Sequence, residues 1–285
     1  MPDTSDMRID PATNNLIREG VPSVVNPTDL NAAEEALKIK DAHGGKISVL
    51  TMGPPQAEQA LRDILSMGAD RGVLISDRSF AGADTLATSY ALWTGIQRIV
   101  AEDGPFDLIL FGKQAIDGET GQVPPGVAVR LGVPIITYVN KIEKFDPAKR
   151  VMHAQRKVDD GIELVESALP AALTVSEECN RPRQPTIDGV LNAKRAKIAV
   201  WNRDAVKADP RKIGLTGSPT FVRKVFVPPP KKSGEIKAAS SGNVEETVKW
   251  LVDQLLKKGV LGEKKTVPEP PDVQPQTVLA AAQKS

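Results

Sequence analysis

Short apolar segments alternate with longer amphipathic segments along the N-terminal half of the chain. Three apolar runs predict strands over Lys46–Met52, Gly72–Ile75 and Phe106–Phe111. The amphipathic segments beside and between them predict helices over residues 29–42, 56–67 and 83–102. Alternation of this kind is typical of a parallel sheet with right-handed helical crossovers, so the pattern predicts an α/β fold.

The remaining sequence predicts shorter strands followed by an irregular C-terminal part. The strands are expected at Val133–Ile142, Val151–Val158, Ile162–Ser167 and Leu173–Val175. The polar, basic segment from Arg183 to Asn202 predicts a surface loop and then a strand at Ala196–Trp201. A turn at 214–220, a stiff Pro228–Pro230 linker, an amphipathic helix over 244–258 and a disordered tail complete the prediction. The predicted parts are an α/β domain over 1–182, an arm over 183–262 and a tail over 263–285.

The Gly-rich segment from Gly112 to Val123 lies between a predicted strand and a helix predicted over Val127–Leu131. Such a junction is where α/β sheets bind nucleotides, because backbone N–H groups at a helix start favour an anion. Glycine also lets the backbone come close to the ligand. A structural loop without a ligand has the same local pattern, so both interpretations stay open at this point.

Composition excludes several classes of function. The 285 residues carry a net charge of +1 and 4% aromatic residues, so neither a strong field nor a stacking platform for nucleic acid is expected. The sequence shows neither an apolar run of spanning length nor a signal-peptide pattern, which predicts a cytoplasmic protein without membrane insertion. One cysteine and two histidines, outside any catalytic or metal motif, predict neither catalytic residues nor a metal site.

Several motifs together resemble one family. The segment GKQAIDGETGQV at residues 112–123 resembles the adenine-nucleotide loop of electron transfer flavoprotein beta subunits. Segments at 21–27, 66–71, 81–88, 180–183 and 192–195 agree in the same order, and the resemblance covers about residues 3–260. It implies a parallel-sheet, adenine-nucleotide alpha-hydrolase-like (Rossmann-like) domain. The implied partner is an alpha subunit carrying FAD. A universal-stress-type nucleotide-binding regulatory protein shares this sheet and is the alternative from a different class.

The resemblance implies three groups of nucleotide-binding residues. Those near the adenosine are Asn26, Pro27, Met52 and Gly53. Those at a helix start, where hydroxyls and N–H groups suit a diphosphate, are Asp84, Thr85 and Thr88. Those of the Gly-rich loop are Gly112, Gln114, Ala115, Ile116, Asp117, Gly118, Thr120, Gly121, Gln122 and Val123.

The segment Ala81–Thr88 resembles the electron-bifurcating branch of that family, which carries a pair of threonines here. In that branch the beta subunit holds FAD, NADH is the electron donor, and ferredoxin or flavodoxin is an acceptor. The chain would then be an electron-transfer subunit within an NADH-dependent oxidoreductase. A plain electron carrier with structural AMP on this chain is the alternative.

The segment from Arg183 to Asn192 resembles the loop that docks acyl-CoA dehydrogenases or other flavin dehydrogenases. The family places an apolar side chain at the tip of this loop, and Ile187 stands at that position. Arg183 and Ile187 are therefore the predicted partner-docking residues.

The family also has an apolar strand ahead of the Pro-Asp-Thr turn, whereas in this sequence Met1 stands directly before Pro2. We therefore expect the sheet to lack a central strand, at a cost of several kcal/mol in apolar burial.

Overall fold

The computed structural model describes residues 8–9, 16–17, 24–223, 234–235, 237–238 and 243–261. The chain forms two compact units, Met1–Phe226 and Val227–Ser285. The boundary expected at residue 183 lies inside the first unit. The predicted Pro228–Pro230 linker and the 263–285 tail lie outside the described residues.

Strands and helices alternate through the first unit. The strands are β1 (Arg8–Ile9), β2 (Leu16–Ile17), β3 (Ser48–Met52), β4 (Arg71–Ile75), β5 (Leu108–Gly112), β6 (Ile135–Asp146), β7 (Val151–Val158), β8 (Gly161–Ala168), β9 (Ala171–Val175) and β10 (Ala199–Trp201). The helices are α1 (Pro27–His43), α2 (Glu58–Met67), α3 (Thr85–Asp103), α4 (Val123–Leu131), α5 (Ile187–Arg195) and, in the second unit, α6 (Val244–Lys257). None of these helices is both long and apolar enough to cross a membrane.

The parallel strands form two groups in the described residues. One sheet has the order β10-β4-β3 and is parallel throughout. The other has the order β5-β9-β6-β7-β8, in which β5, β9 and β6 are parallel. These groups confirm the predicted parallel α/β architecture. Strands β7 and β8 add an antiparallel extension that the sequence pattern had not distinguished, because alternation along a strand does not reveal the direction of its neighbour.

Helices pack around these sheets through three apolar clusters. Strand β4 and α3 meet in a cluster that contains Ile75 and Tyr90, and the β6–β9 sheet forms a second cluster around Met152. The third cluster joins Leu37 of α1 to Ile64 of α2. Helix α1 also contacts β5 and β9, so its N-terminal end lies beside the segment that leaves β5.

Several elements differ from the sequence-based prediction, which did not include the antiparallel pair β1–β2. Helix α4 begins at Val123 and not at Val127, because prolines 124 and 125 occupy its first turn, where a missing N–H costs little. The segment predicted as a loop after Arg183 contains helix α5. Thr186 caps α5 by accepting a hydrogen bond from the Gly189 N–H at 3.0 Å. A Cβ added at Gly189 would overlap the Ser66 carbonyl, so α5 lies directly against α2.

Strands β3 and β5 are each half-buried, whereas β4 and β9 are almost entirely buried. In the described residues β3 pairs with β4 alone, and β5 pairs with β9 alone. Helix α1 contacts β5 and packs against Val49 of β3. Within the described residues, β3 and β5 are thus each the edge strand of their own sheet.

Adding an apolar strand ahead of Pro2 is expected to raise the melting temperature and nucleotide retention. The added strand would bury apolar area and satisfy edge N–H and C=O groups of β3 and β5. Thermal unfolding and nucleotide content of the two versions, purified side by side, check this expectation. Equal values would show that the sheet needs no further strand.

Candidate functional site

The end of β5 is held closely against the start of α1. The Gly112 N–H donates to Asp29 Oδ1 at 2.7 Å, and the Lys113 N–H donates to the Val175 carbonyl at 2.9 Å. A Cβ at Gly112 would stand 2.6 Å from Asp29 Oδ1 and would overlap the Thr28 hydroxyl. Burial raises the pKa of Asp29, although the hydrogen bond from Gly112 opposes that shift. Only glycine allows the loop to leave β5 at this distance from α1.

Asn26 fixes the base of the loop. Its Nδ2 donates to the Gln114 carbonyl at 3.0 Å and to Thr28 Oγ1 at 2.9 Å, and its Oδ1 accepts from the Ile116 N–H at 3.1 Å. The Thr28 hydroxyl also donates to the Gln114 carbonyl at 3.0 Å. The buried Asn26 amide therefore shapes the loop, and direct contact of Asn26 with a nucleotide stays a prediction.

The tip of the loop is open. Residues Ala115, Ile116, Gly118, Glu119 and Thr120 are exposed, and Asp117 is half-buried. The backbone at Glu119 and Gly121 is left-handed, with φ of 51° and 60°, which turns the chain back toward α4. The tip is thus presented outward by a base that is fixed to α1.

Asp84 caps the start of α3 with several hydrogen bonds. Its Oδ1 accepts from the Leu86 and Ala87 N–H groups, each at 3.0 Å. Its Oδ2 accepts from the Thr220 N–H at 3.1 Å and from the Thr220 hydroxyl at 2.8 Å. Desolvation opposes ionisation of this carboxyl, but these hydrogen bonds outweigh it and lower its pKa. Asp84 is therefore an ionised cap, and its predicted role as a nucleotide ligand stays a prediction.

The start of α3 and the end of the loop meet at Thr85. The Thr85 hydroxyl donates to Gln122 Oε1 at 2.9 Å, joining two predicted segments that are 37 residues apart. Thr88 lies one turn further along α3 and is half-buried. Prolines 124 and 125 remove N–H groups from the first turn of α4. At this end of the loop the exposed Gln122 amide, and not the start of α4, is the more accessible donor.

The structure places the other predicted nucleotide residues at the ends of their elements. Met52 ends β3, and the Gly53 N–H donates to the Ile75 carbonyl at 3.0 Å. Pro27 is the first residue of α1.

The site residues predicted from the sequence leave out three residues that build this region. Thr28 and Asp29 form hydrogen bonds with the base of the loop, and Thr220 forms hydrogen bonds with Asp84, the cap of α3. The position of Thr28 and Asp29 directly after Pro27, at a helix start, was the available signal for the first two. The described residues contain no group of His, Cys, Asp and Glu side chains that could hold a metal ion.

The predicted docking segment begins at a residue that is tied to its own chain. Arg183 Nε donates to the buried Glu34 at 2.9 Å, and Arg183 Nη2 donates to Asp41 at 2.8 Å. Hydrogen bonds from the guanidinium to these carboxylates raise the pKa of Arg183. Asn180 donates to the Asn31 carbonyl at 2.9 Å, so the segment before Arg183 is fixed on α1 as well.

Ile187, in contrast, is 82% exposed at the first residue of α5. Val190 and Leu191 are also exposed. Their spacing of three and four residues from Ile187 puts all three side chains on one helix face. We call Ile187, Val190 and Leu191 the α5 face; sequence reasoning found only its first residue, because the segment was predicted as a loop.

Fold and geometry define an α/β protein in which a Gly-rich loop and a helix start meet beside a parallel sheet. The chain belongs to the electron transfer flavoprotein family, whose "Electron transfer flavoprotein domain" matches residues 13–206.

Related proteins agree over most of their lengths. Protein FixA of Bradyrhizobium diazoefficiens is 46% identical over 256 residues, covering 90% of this chain and 88% of FixA. The electron transfer flavoprotein subunit beta of Thermoanaerobacterium thermosaccharolyticum is 44% identical over 262 residues, covering 92% and 96%. The caffeyl-CoA reductase-Etf complex subunit CarD of Acetobacterium woodii is 44% identical over 262 residues, covering 92% and 97%. The beta-subunit resemblance is thus confirmed, and with it a general role in flavoprotein electron transfer.

Proposed function

We propose that the chain is the beta subunit of a heterodimeric electron transfer flavoprotein that holds an adenine nucleotide between the Gly112–Val123 loop and the start of α3. The hydrogen bond from Thr85 to Gln122 carries this proposal, because it unites two segments that were predicted separately as nucleotide-binding. The chain passes electrons between dehydrogenases and the FAD of an alpha subunit. The family match and the named relatives favour this role over a universal-stress-type regulator.

The residues of this region suit an adenine nucleotide. The base of the loop is fixed by Asn26, so binding has to order only the exposed tip. Gln122 has its oxygen occupied by Thr85, which directs its NH₂ group away from that hydroxyl. When bound, a flavin would supply the electron-carrying chemistry, while this chain supplies position and electrostatics.

We propose FAD, and not AMP, as the nucleotide on this chain, with NADH as the electron donor in flavin-based bifurcation. A diphosphate is long enough to use both the loop and the start of α3, which the Thr85–Gln122 contact joins. The similarity to CarD, a subunit of a caffeyl-CoA reductase-Etf complex by its name, supports the same branch. Structural AMP in a plain electron carrier is the second candidate, because the loop base that Asn26 fixes suits the adenosine half of either nucleotide equally.

Co-expression with a candidate alpha subunit tests the proposed function. The expected product is a complex that yields adenine nucleotide on acid extraction and passes electrons from a dehydrogenase to an acceptor dye. A chain that stays alone and releases no nucleotide would contradict the proposal.

Helix α6 is expected to make the chain dependent on its partner. Five apolar residues of α6 are about half exposed: Val244, Val248, Leu251, Val252 and Leu256. A stripe of this kind needs a surface to cover it. We expect a stable heterodimer and poor solubility of the chain alone. The change Val248→Glu should weaken the heterodimer by about tenfold or more in pull-down titrations, because it puts a charge into an apolar contact.

The matched control for α6 is Lys249→Glu, which changes charge next to Val248 but outside the apolar stripe. Equal loss of binding in both variants would show that charge, and not the stripe, decides assembly. Full binding by the Val248 variant would remove α6 from the proposed interface.

The change Ile187→Ala is expected to weaken dehydrogenase docking and to leave the nucleotide content unchanged. An apolar anchor of this size contributes about 1–3 kcal/mol, or roughly five- to 150-fold in affinity. The rate of electron transfer at varied dehydrogenase concentration measures the effect. The control is Ile162→Ala on β8, because Ile162 is the same residue type and is 62% exposed. Equal rates for the two variants would count against docking at the α5 face.

A further inference from the structure

The segment from Ile213 to Thr220, here called the strap, is attached to the start of α3. The Asp84 N–H donates to the Ser218 hydroxyl at 2.8 Å, and that hydroxyl donates to the Gly214 carbonyl at 2.7 Å. Thr220 donates twice to Asp84 Oδ2, through its N–H and its hydroxyl. The strap therefore bonds both the backbone and the carboxylate of the α3 cap, across more than 130 residues of sequence.

The first residues of the strap pack closely against the rest of the first unit. Ile213 is buried in the apolar cluster that contains Tyr90. Gly214 has a φ of +55°, and a Cβ there would overlap the Ser79 carbonyl, so the strap passes directly over the turn before α3. Thr220 is itself exposed, and it is followed by Phe221, which is 76% exposed, and by the exposed Arg223. The hydrogen bonds from Thr220 to Asp84 therefore hold an exposed part of the strap against the start of α3.

We propose that Thr220 is a positioning residue for the phosphates of the nucleotide, acting through Asp84; this inference rests on the proposed nucleotide site. The ionised Asp84 carboxylate belongs to the residue directly before Thr85, where the proposal puts a diphosphate. Two neighbouring negative groups repel each other. The helix N–H groups donate to Oδ1, and among the described residues Thr220 supplies both donors to Oδ2. The two donors of Thr220 partly neutralise the negative charge on Oδ2, and they hold the carboxylate in its capping orientation.

The same contacts link the nucleotide to the strap. A ligand that uses Thr85 and Gln122 fixes the first turn of α3, which is where the strap is bonded. Because coupling between two binding events is reciprocal, a nucleotide that needs Thr220 in place must also hold Thr220 in place.

The experiment compares Thr220→Val with Thr220→Ser in the full chain, purified as the complex with its alpha subunit and stripped of nucleotide on this chain. Titrations use FAD and, as an uncharged probe of the adenosine position, adenosine. The valine variant should bind FAD about three- to tenfold more weakly, the effect of one net hydrogen bond, and should bind adenosine within about twofold of the parent. The serine variant should restore FAD affinity, because it keeps the hydroxyl.

Equal weakening of FAD and adenosine would assign Thr220 a purely structural role and overturn the inference, as would unchanged FAD binding in the valine variant. Failure of the unsubstituted complex to bind either probe would overturn the proposed nucleotide site and, with it, this inference.

Limited trypsin digestion gives a second measurement that needs no substitution. Saturating FAD should slow cleavage after the exposed Arg223 at least about threefold, the linkage expected from the affinity change above, whereas adenosine should not. Cleavage that is indifferent to FAD would contradict the link between nucleotide and strap.

Discussion

The change Gly112→Ala is expected to destabilise the protein by about 3 kcal/mol or more and to abolish nucleotide retention. The new methyl group would stand 2.6 Å from Asp29 Oδ1 and 2.7 Å from the Asp29 nitrogen, atoms that belong to the start of α1 and cannot rotate away together. Overpacking of a fixed contact costs about 1–3 kcal/mol, and here the hydrogen bond from Gly112 to Asp29 is strained as well. Denaturant unfolding followed by circular dichroism measures the free energy of unfolding.

Gly118→Ala is the matched control, because it makes the same chemical change in the same loop. A Cβ at Gly118 would meet no atom within 4 Å, and its backbone needs no left-handed conformation. This variant should unfold within about 0.5 kcal/mol of the parent. Similar losses in both variants would mean that the loop, and not its junction with α1, limits stability.

Replacing Thr85 and Thr88 together by valine is expected to remove FAD from this chain while the alpha-subunit flavin stays. Valine keeps the volume and removes both hydroxyls, and each hydrogen bond to a charged group contributes roughly 1.5–3 kcal/mol. Loss of the Thr85 hydroxyl also releases Gln122 from its present orientation. Acid extraction and chromatography of the heterodimer should show two FAD in the parent and about one in the variant.

The control for this double change is Thr137→Val, which removes a hydroxyl that contacts Arg156 on the β6–β7 pair. It should keep two FAD per heterodimer. One FAD and one AMP in the parent complex would contradict the proposal of a second flavin and would favour the plain electron carrier.

Apolar periodicity was sufficient to locate most elements. Strand β7 has the predicted bounds of Val151–Val158, because its alternating side chains face a core on one side only. Helix α5 was missed, since it spans only nine residues, contains Gly189 and is also held by contacts from other parts of the chain. The Arg62 guanidinium donates to the Ala193 carbonyl at 2.7 Å and thus caps α5 from α2, a contact that no local pattern contains.

The candidate site was only partly accessible from the sequence. Family resemblance predicted Thr85 and Gln122 separately as nucleotide-binding residues, and the structure brings their side chains into contact. The same reasoning predicted that N–H groups at the start of α3 bind a diphosphate. In the structure, the N–H groups of Leu86 and Ala87 donate to Asp84 instead. The contact of Thr220 with that cap joins distant parts of the chain, so neither spacing nor composition could have indicated it.

Anchoring of Arg183 to Glu34 and Asp41 has a consequence for how such complexes diverge. In the proposed heterodimer the docking helix begins from a fixed point on α1, so its three exposed apolar side chains can be exchanged without disturbing the loop beside β5. In that arrangement, substitutions that alter the choice of partner do not affect the residues that bind the cofactor. Under the proposed docking, a change of dehydrogenase requires substitutions on the α5 face and leaves the residues that fix the loop beside β5 unchanged.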